Sequence, residues 1–181
     1  MKKILALGGS NSKKSINKKF ANYVANKLEN VEVIVADLYE LDLPMYGPDL
    51  EAEKGSPEHV IQFNELIKSV DGIVLSLAEH NGNQTAAFKN LWDWLSRVED
   101  VKFWRDKPML LMAASPGGRG GASVLNITKA MLPFFGGNII GDFSLPLFHN
   151  NFSEDGLKDE ALNADLQTKI ALLQDVINNL N

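Results

Sequence analysis

The chain has 181 residues, 45% of them hydrophobic and 23% charged, with a formal net charge of −5 at pH 7 and no cysteine. This composition predicts one globular domain over residues 1–181, and it excludes a disulfide, a thiol nucleophile and a thiolate metal site. The negative charge gives no support for nucleic acid or an anionic membrane as a partner, and the lack of a long apolar run or secretory signal favours a cytoplasmic protein.

Strand and helix patterns alternate along the chain. The predicted strands are short apolar runs at residues 3–8, Val31–Ala36, Gly72–Leu77, Pro108–Ala114 and from Asn138 towards Leu145. Between the second strand and Ser56 the chain is rich in proline and glycine, so residues 37–56 are predicted to be mostly irregular. This loop is longer than most connections, and long ordered loops are often functional.

Helical spacing of apolar residues fills the other connections. The inward-facing residues predicted for the five helices are, in chain order, Phe20, Val24 and Leu28; Val60, Ile61, Phe63, Leu66, Ile67 and Val70; Phe88, Leu91, Trp92 and Leu95; Val124, Ile127, Ala130 and Met131; and Leu162, Leu166, Ile170, Leu173, Ile177 and Leu180. Repeated strand–helix alternation predicts an α/β fold, a doubly wound parallel sheet with helices on both faces. Ligands of such sheets bind beyond the carboxyl ends of the strands.

The loop after the first strand, residues 8–15, reads Gly-Gly-Ser-Asn-Ser-Lys-Lys-Ser and leads into a helix. It has neither the Gly-x-Gly-x-x-Gly of a dinucleotide site nor the Gly-Lys-Ser/Thr of a P-loop. Hydroxyl and backbone N–H groups at a helix N-terminus favour a phosphate that is held in place without being transferred. The alternative is that these serines only cap the helix.

Three motifs in register carry a family resemblance. They are Gly9-Ser10-x-x-x-x-Ser15-x-Asn17 in the first loop, the spaced set Glu79, Asn81, Lys89, Asn90, Asp93 and Trp94 after the third strand, and Ser-Pro-Gly-Gly-Arg-Gly-Gly at residues 115–121. Together they resemble the NAD(P)H-dependent FMN reductase family, the flavodoxin-like flavin, quinone and azo reductases. The segments Asp37-Leu38 and Leu43-Pro44-Met45-Tyr46 also resemble the family's loop after strand two.

The resemblance implies a fold, a cofactor and a chemistry. It implies a five-stranded sheet in the order 2-1-3-4-5, bound FMN, and transfer of two electrons from NADPH or NADH to a small acceptor such as a flavin, quinone or azo compound. It also implies a homodimer or homotetramer. Because the flavin carries the chemistry, no catalytic residue and no metal ligand is predicted. His80 could stack on the ring, adjust its potential or protonate a substrate, and the alternative is a plain loop histidine.

The resemblance also implies a set of cofactor-binding residues in three loops. Ser10, Ser12, Ser15 and Asn17 would hold the phosphate, and Glu79, His80, Asn81, Gly82 and Asn83 would line the ribityl chain and the ring edge. Ser115, Pro116, Gly117, Gly118, Gly120 and Gly121 would present backbone N–H groups to the pyrimidine edge.

The sequence departs from the family pattern at four positions. Ser12 stands where many relatives have arginine, and Ala78, His80 and Thr85 replace a proline, a tyrosine and a second proline. These changes predict weakened FMN binding and a loosened second loop. The alternative function is therefore a flavodoxin-like electron carrier or a weakly FMN-binding module without enzymatic activity.

Three side chains receive specific interpretations. Trp94 lies off the main helical stripe and is interpreted as part of a second apolar face at an oligomer interface. Glu79 is interpreted as a carboxylate that orders its loop. Arg119 either meets the phosphate of NADPH or is solvated.

Overall fold

A computed structural model describes residues 1–180, and its centre is a parallel sheet of five strands in the order β2-β1-β3-β6-β7. These strands are β1 (Lys2–Gly9), β2 (Val31–Ala36), β3 (Gly72–Leu77), β6 (Pro108–Ala114) and β7 (Asn138–Leu145). The remaining strands form two short hairpins, β4 (Glu79–His80) with β5 (Asn83–Gln84) and β8 (Phe152–Ser153) with β9 (Gly156–Leu157). The five main strands confirm the predicted α/β fold and the flavodoxin-like order 2-1-3-4-5.

Helices connect the strands and cover both faces of the sheet. They are α1 (Ile16–Ala25), α2 (Pro48–Lys54), α3 (Glu58–Ser69), α4 (Ala86–Val98), α5 (Ala122–Met131), a 3₁₀ turn (Leu132–Phe135), α6 (Phe148–Asn151) and α7 (Glu160–Asn178). None of the helices within residues 1–180 combines the length and apolar character needed to cross a membrane.

Alternating residues of the strands build two separate cores. Ile4 and Ala6 of β1 face a core shared with α1 and α7, whereas Leu5 and Leu7 face the core under α3, α4 and α5. Every residue of β3 and β6 is buried, because both faces of these central strands are covered. The apolar runs that predicted these strands arise from this double burial.

The sheet order places three loops side by side. Strands β1, β3 and β6 are neighbours and run parallel, so the loops that follow them leave the same edge of the sheet. Residues 8–15, 79–83 and 115–121 therefore meet at one place, as the crevice rule for open sheets predicts.

Residues 37–56 are mostly irregular, as predicted, and contain one short helix, α2. Pro48 occupies the first turn of this helix, where a missing N–H costs nothing, and Asp49 and Glu51 complement the helix dipole. In the inward stripe predicted for the helix after β6, Val124 and Met131 pack on the core as predicted. The stripe was wrong at two positions, because Ile127 and Ala130 face outwards while Leu125 and Thr128 are buried. Ile61 of α3 is likewise exposed.

The interpretation of Trp94 as an interface residue was wrong. Its side chain is fully buried within the chain, its indole Nε1 donates to the carbonyl of Pro44 (2.9 Å), and its ring packs edge-on against Tyr46 (5.1 Å). Asn90 binds the same segment, since its Nδ2 donates to Pro44 O and its Oδ1 accepts from the N–H of Tyr46. The second apolar face of α4 is thus covered by residues 44–51, here called the strap.

Candidate flavin site

The first loop folds through its own serines. The hydroxyl of Ser10 accepts from the N–H of Ser12 (3.2 Å), and the hydroxyl of Ser12 accepts from the N–H of Lys14 (3.3 Å). Ser15 caps α1 by accepting from the N–H of Lys18 (3.0 Å). Each hydroxyl is used as an acceptor, so its hydrogen is free to donate to an anion. The capping interpretation and the phosphate interpretation are therefore compatible.

The start of α1 supplies further donors and an unusual excess of positive charge. The N–H groups of the first helical residues, Ile16 and Asn17, have no carbonyl partner within the helix. Lys13, Lys14, Lys18 and Lys19 surround this N-terminus, where the helix dipole disfavours cations. Lys18 pairs with Asp37, and the ammonium of Lys13 lies 4.8 Å from the ring centroid of Tyr39. Lys19 pairs with Glu154 (3.2 Å). A bound anion would relieve the unfavourable placement of Lys13 and Lys14, which form no ion pair within residues 1–180.

The side chain of Asn17 is directed elsewhere. It is buried, its Nδ2 donates to the carbonyl of Ala114 (3.0 Å), and its Oδ1 accepts from the N–H of Ala114 (2.9 Å) and the hydroxyl of Ser76 (2.7 Å). The amide therefore joins α1 to the ends of β3 and β6. Any contribution of Asn17 to a phosphate is limited to its backbone N–H.

The second loop is a tight hairpin. Glu79 and His80 pair antiparallel with Gln84 and Asn83, and the two residues between them have positive φ, 52° at Asn81 and 80° at Gly82. This is the geometry of a type I′ turn, for which Asn-Gly is the preferred pair. The Asn-Gly dipeptide was the sequence signal for this hairpin, and reading the segment only as a polar loop missed it.

Three side chains hold this hairpin in place. Glu79 Oε2 accepts from the N–H of Val124 in the first turn of α5 (2.9 Å), which confirms the loop-ordering role inferred for Glu79. Gln84 Nε2 donates to the hydroxyl of Thr128 (3.0 Å). Thr85 donates to the carbonyl of Gly9 (2.8 Å) and caps α4 by accepting from the N–H of Phe88 (3.1 Å). Thr85, which stands where the family has a proline, therefore ties this loop to the first one, and the looser loop expected from the missing prolines stays a prediction.

The third loop, residues 115–121 or the glycine loop, contains two kinds of glycine. Gly120 and Gly121 are buried and have φ values of 61° and 77°; a Cβ would lie 2.9 Å from Pro146 N at Gly120 and 2.9 Å from Ala113 Cβ at Gly121. Gly117 and Gly118 are exposed, and a Cβ at Gly118 would have no protein atom within 4 Å. The first pair is required by the fold, whereas the second pair leaves open space at the edge of the site.

The remaining predicted residues lie at the rim. His80, Asn81, Asn83 and Pro116 are exposed, and Gly82 and Ser115 are partly buried. Arg119 is exposed and donates to the hydroxyl of Ser123 (2.7 Å). Within residues 1–180 no group of three or more His, Cys, Asp or Glu side chains is arranged to hold a metal.

Sequence reasoning missed a neighbouring cavity of about 580 Å³. It lies between the first loop, the segment after β2 and the start of α4, with Asn11, Leu41, Leu43, Met45 and Ala87 among its lining residues. The one sequence signal for this cavity was the unusual length of the segment after β2, because long ordered loops are often functional.

The three loops fit FMN. Free hydroxyl and N–H donors with nearby lysines suit a dianionic phosphate, and the exposed backbone at Gly117 and Gly118 has the open approach that a planar ring requires. The loops that would take the two ends of the cofactor are tied together by Thr85 and Asn17. The fold and the loops define a flavodoxin-like protein whose first loop ends at the N-terminus of α1.

Comparison with known proteins gives the family. The model of the NADPH-dependent FMN reductase family matches residues 2–150. The chain belongs to the NADPH-dependent FMN reductase family, which confirms the resemblance and the prediction of an oxidoreductase.

Individual relatives agree with this assignment. The chain is 32% identical over 133 residues to an NADPH azoreductase of Bacillus sp. (strain OY1-2), covering 72% of this chain and 68% of that protein. It is 36% identical over 93 residues to a quinone reductase of Escherichia coli K12, a match that spans about half of each chain, 51% and 49%. The solved structure of FerB, a flavoenzyme NAD(P)H:(acceptor) oxidoreductase from Paracoccus denitrificans, superimposes with a TM-score of 0.77 at 25% identity and 98% coverage of both chains.

Proposed function

We propose that this protein binds FMN across its three loops and uses NADPH or NADH to reduce a small acceptor of the quinone, azo or flavin type. The observation that carries the proposal is the contrast within the glycine loop. Gly120 and Gly121 are required by backbone geometry, but Gly117 and Gly118 have no such requirement and leave space beside exposed backbone. Family membership supports the same function.

The binding roles follow from the contacts of each loop. The hydroxyls of Ser10, Ser12 and Ser15 and the N–H groups of Ile16 and Asn17 would hold the phosphate. The hairpin of residues 79–84 would line the ribityl chain and the ring edge. The backbone of Gly117 and Gly118 would donate to the pyrimidine edge, where negative charge increases on reduction. Bound FMN would supply the hydride chemistry, taking two electrons from a nicotinamide and passing them to the acceptor.

The cavity of about 580 Å³ beside the loops supports a small-molecule acceptor. Its volume lies within the ordinary range of small-molecule pockets, about 300–1,000 Å³. Its wall combines apolar side chains such as Leu41, Leu43 and Met45 with polar ones such as Asn11, Asp42 and Asn90, which suits an acceptor with both apolar and polar groups.

Steady-state oxidation of NADPH by the FMN-loaded protein, with a benzoquinone as acceptor, tests this function. We expect turnover that requires the protein, FMN and the acceptor together. Gly118→Val should abolish turnover, whereas Ala52→Val, at an exposed position of α2 outside the loops, serves as the matched control and should leave turnover unchanged. If the protein binds FMN but oxidises NADPH with no quinone, azo or flavin acceptor, the alternative function as an electron carrier would be favoured.

Oligomeric state and location remain predictions. A homodimer or homotetramer is expected to appear in light scattering, but its interface does not include the buried Trp94. A cytoplasmic location would be tested by cell fractionation.

A further inference from the structure

Leu147 has a backbone conformation that its side chain does not explain. It lies between β7 and α6 with φ 47° and ψ 51°, in the left-handed region that L-residues avoid. Among the described residues, the other non-glycine positions with positive φ are asparagine, aspartate or arginine, so Leu147 is the one apolar side chain held in this way. Its side chain is 45% exposed. Packing of the leucine therefore does not account for the conformation.

The backbone of Leu147 is fully engaged with the glycine loop. Its N–H donates to the carbonyl of Gly117 (3.1 Å), and the next N–H, of Phe148, donates to the carbonyl of Ser115 (3.0 Å). In return the N–H of Ser115 donates to the carbonyl of Leu145 (3.2 Å). The left-handed turn at Leu147 thus directs two consecutive N–H groups at one loop.

These contacts fix the orientation of one peptide unit. The carbonyl of Gly117 accepts from Leu147 N–H, from the Ser115 hydroxyl (3.1 Å) and from Gly120 N–H (3.3 Å). In a trans peptide the N–H points opposite to the carbonyl, so the N–H of Gly118 is turned away from these three donors. Within residues 1–180 it has no hydrogen-bond partner, and a Cβ added to the same residue would meet no protein atom within 4 Å.

We propose that Leu147 is a positioning residue, whose left-handed backbone holds the Gly117–Gly118 peptide so that the Gly118 N–H is aimed at the flavin ring. This inference rests on the proposed function for its ligand, and on the geometry alone for the orientation of the peptide. The donor should bind reduced FMN more strongly than oxidised FMN, because reduction adds negative charge to the pyrimidine edge.

Two substitutions separate backbone positioning from side-chain contact. Leu147→Gly keeps the N–H and adopts the left-handed conformation readily, so FMN affinity and midpoint potential should stay close to those of the original protein. Leu147→Val disfavours that conformation, since a β-branched residue is a genuine outlier there. It should weaken FMN binding about tenfold or more and make the midpoint potential of bound FMN more negative. Circular dichroism and melting of the apo-proteins confirm that both variants fold.

The outcomes are distinct. Equal FMN affinities and potentials for the two variants, or loss of affinity confined to Leu147→Gly, would overturn the proposal. Amide hydrogen exchange tests the peptide orientation without FMN: the Leu147 amide should be protected and the Gly118 amide should exchange quickly in the apo-protein. Rapid exchange at Leu147 would also overturn it. If the original protein binds no FMN while this exchange pattern holds, the proposed function fails and the positioning geometry stands.

Discussion

Gly117 and Gly118 give the sharpest test of the site at the level of single residues. Gly117→Val and Gly118→Val should lose FMN binding and reductase activity, because a side chain there enters the space assigned to the ring. The melting temperature of the apo-protein should change little, since neither position has positive φ or a Cβ contact shorter than 3.8 Å. Differential scanning calorimetry and FMN titration of the same samples measure both effects.

Gly120→Ala and Gly121→Ala are the matched controls for those variants. Both positions have positive φ, and the added Cβ would meet Pro146 or Ala113, so these substitutions should lower the melting temperature. A large stability loss at Gly117 or Gly118 with intact FMN affinity would reject the assignment of this loop to the ring.

Ser12 tests the phosphate end of the site. Its exposed side chain accepts only from the N–H of Lys14, so an arginine there has room to reach an anion at the loop. Ser12→Arg should tighten FMN binding by about 1–3 kcal/mol, the value of a charge-assisted pair. Isothermal titration of the apo-protein measures the change, with Ser12→Ala as the control that adds no charge. Unchanged or poorer binding by a folded Ser12→Arg variant would mean that the phosphate is held elsewhere.

The side chain of Asn17 joins helix α1 to strands β3 and β6. Asn17→Ala would leave Ser76 Oγ and both backbone groups of Ala114 without their buried partner. We expect a loss of about 2–4 kcal/mol in the free energy of unfolding, measured by urea denaturation. Ser15→Ala, which removes only the α1 cap, should cost about 1 kcal/mol. A loss at Asn17 no larger than at Ser15 would contradict the joining role.

The strap is attached to α4 partly through a carboxylate, that of Glu51. Its Glu51 accepts from Arg97 Nε (2.9 and 3.1 Å) and from the hydroxyl of Tyr46 (3.0 Å), and these hydrogen bonds, led by that of Arg97, lower the pKa of Glu51 below its usual 4.5. A lowered pKa means that the ionised form stabilises the fold. That stabilisation is complete above the unfolded pKa and is lost as the pH falls through the lowered folded value.

Glu51→Gln should therefore lower the melting temperature near neutral pH, and the difference from the original protein should close as the pH falls below 4.5 and through the lowered folded pKa. Glu53→Gln, on the exposed side of the same helix, is the control and should show no such pH dependence. Melting curves across this pH range measure both variants. A difference that stays constant with pH would contradict the role of the ionised Glu51.

Most elements with a local pattern were predictable, with the Asn-Gly hairpin as an exception, and features that depend on distant contacts were not. The runs of β3 and β6 predicted their strands because burial on both faces leaves an uninterrupted apolar signal. Trp94 was misjudged because its cover, Pro44, lies 50 residues earlier in a segment without periodicity. The outward rotation of Ile127 depends on contacts such as Gln84 with Thr128, which join α5 to a hairpin 44 residues away.

The same distinction applies to the site. The three loops were predictable because the carboxyl ends of neighbouring parallel strands must meet. The direction of each group within them was not: the Asn17 amide binds a strand 97 residues away, and the glycine loop is held by the backbone around Leu147. Contacts made to backbone groups do not require a particular residue type at the contacted position. Composition and spacing therefore cannot show them.

In the molecule as a whole, one sheet separates two cores, and the three loops proposed to hold FMN all leave its carboxyl edge. The single domain predicted over residues 1–181 remains a prediction; limited proteolysis would test it, and its last residue, Asn181, lies outside the described residues. The local excess of lysine at α1 in a chain of net charge −5 concentrates positive charge where the phosphate is proposed to bind.

The central claim is that these loops hold FMN in a form that a nicotinamide can reduce. The direct measurement is the visible spectrum of the purified apo-protein during titration with FMN, followed by anaerobic addition of NADPH and, separately, NADH. We predict a saturable change in the flavin spectrum and rapid bleaching by at least one of the two nucleotides, with neither effect in Gly118→Val. An unchanged spectrum at tens of micromolar FMN, or bound FMN that neither nucleotide bleaches, would contradict the account.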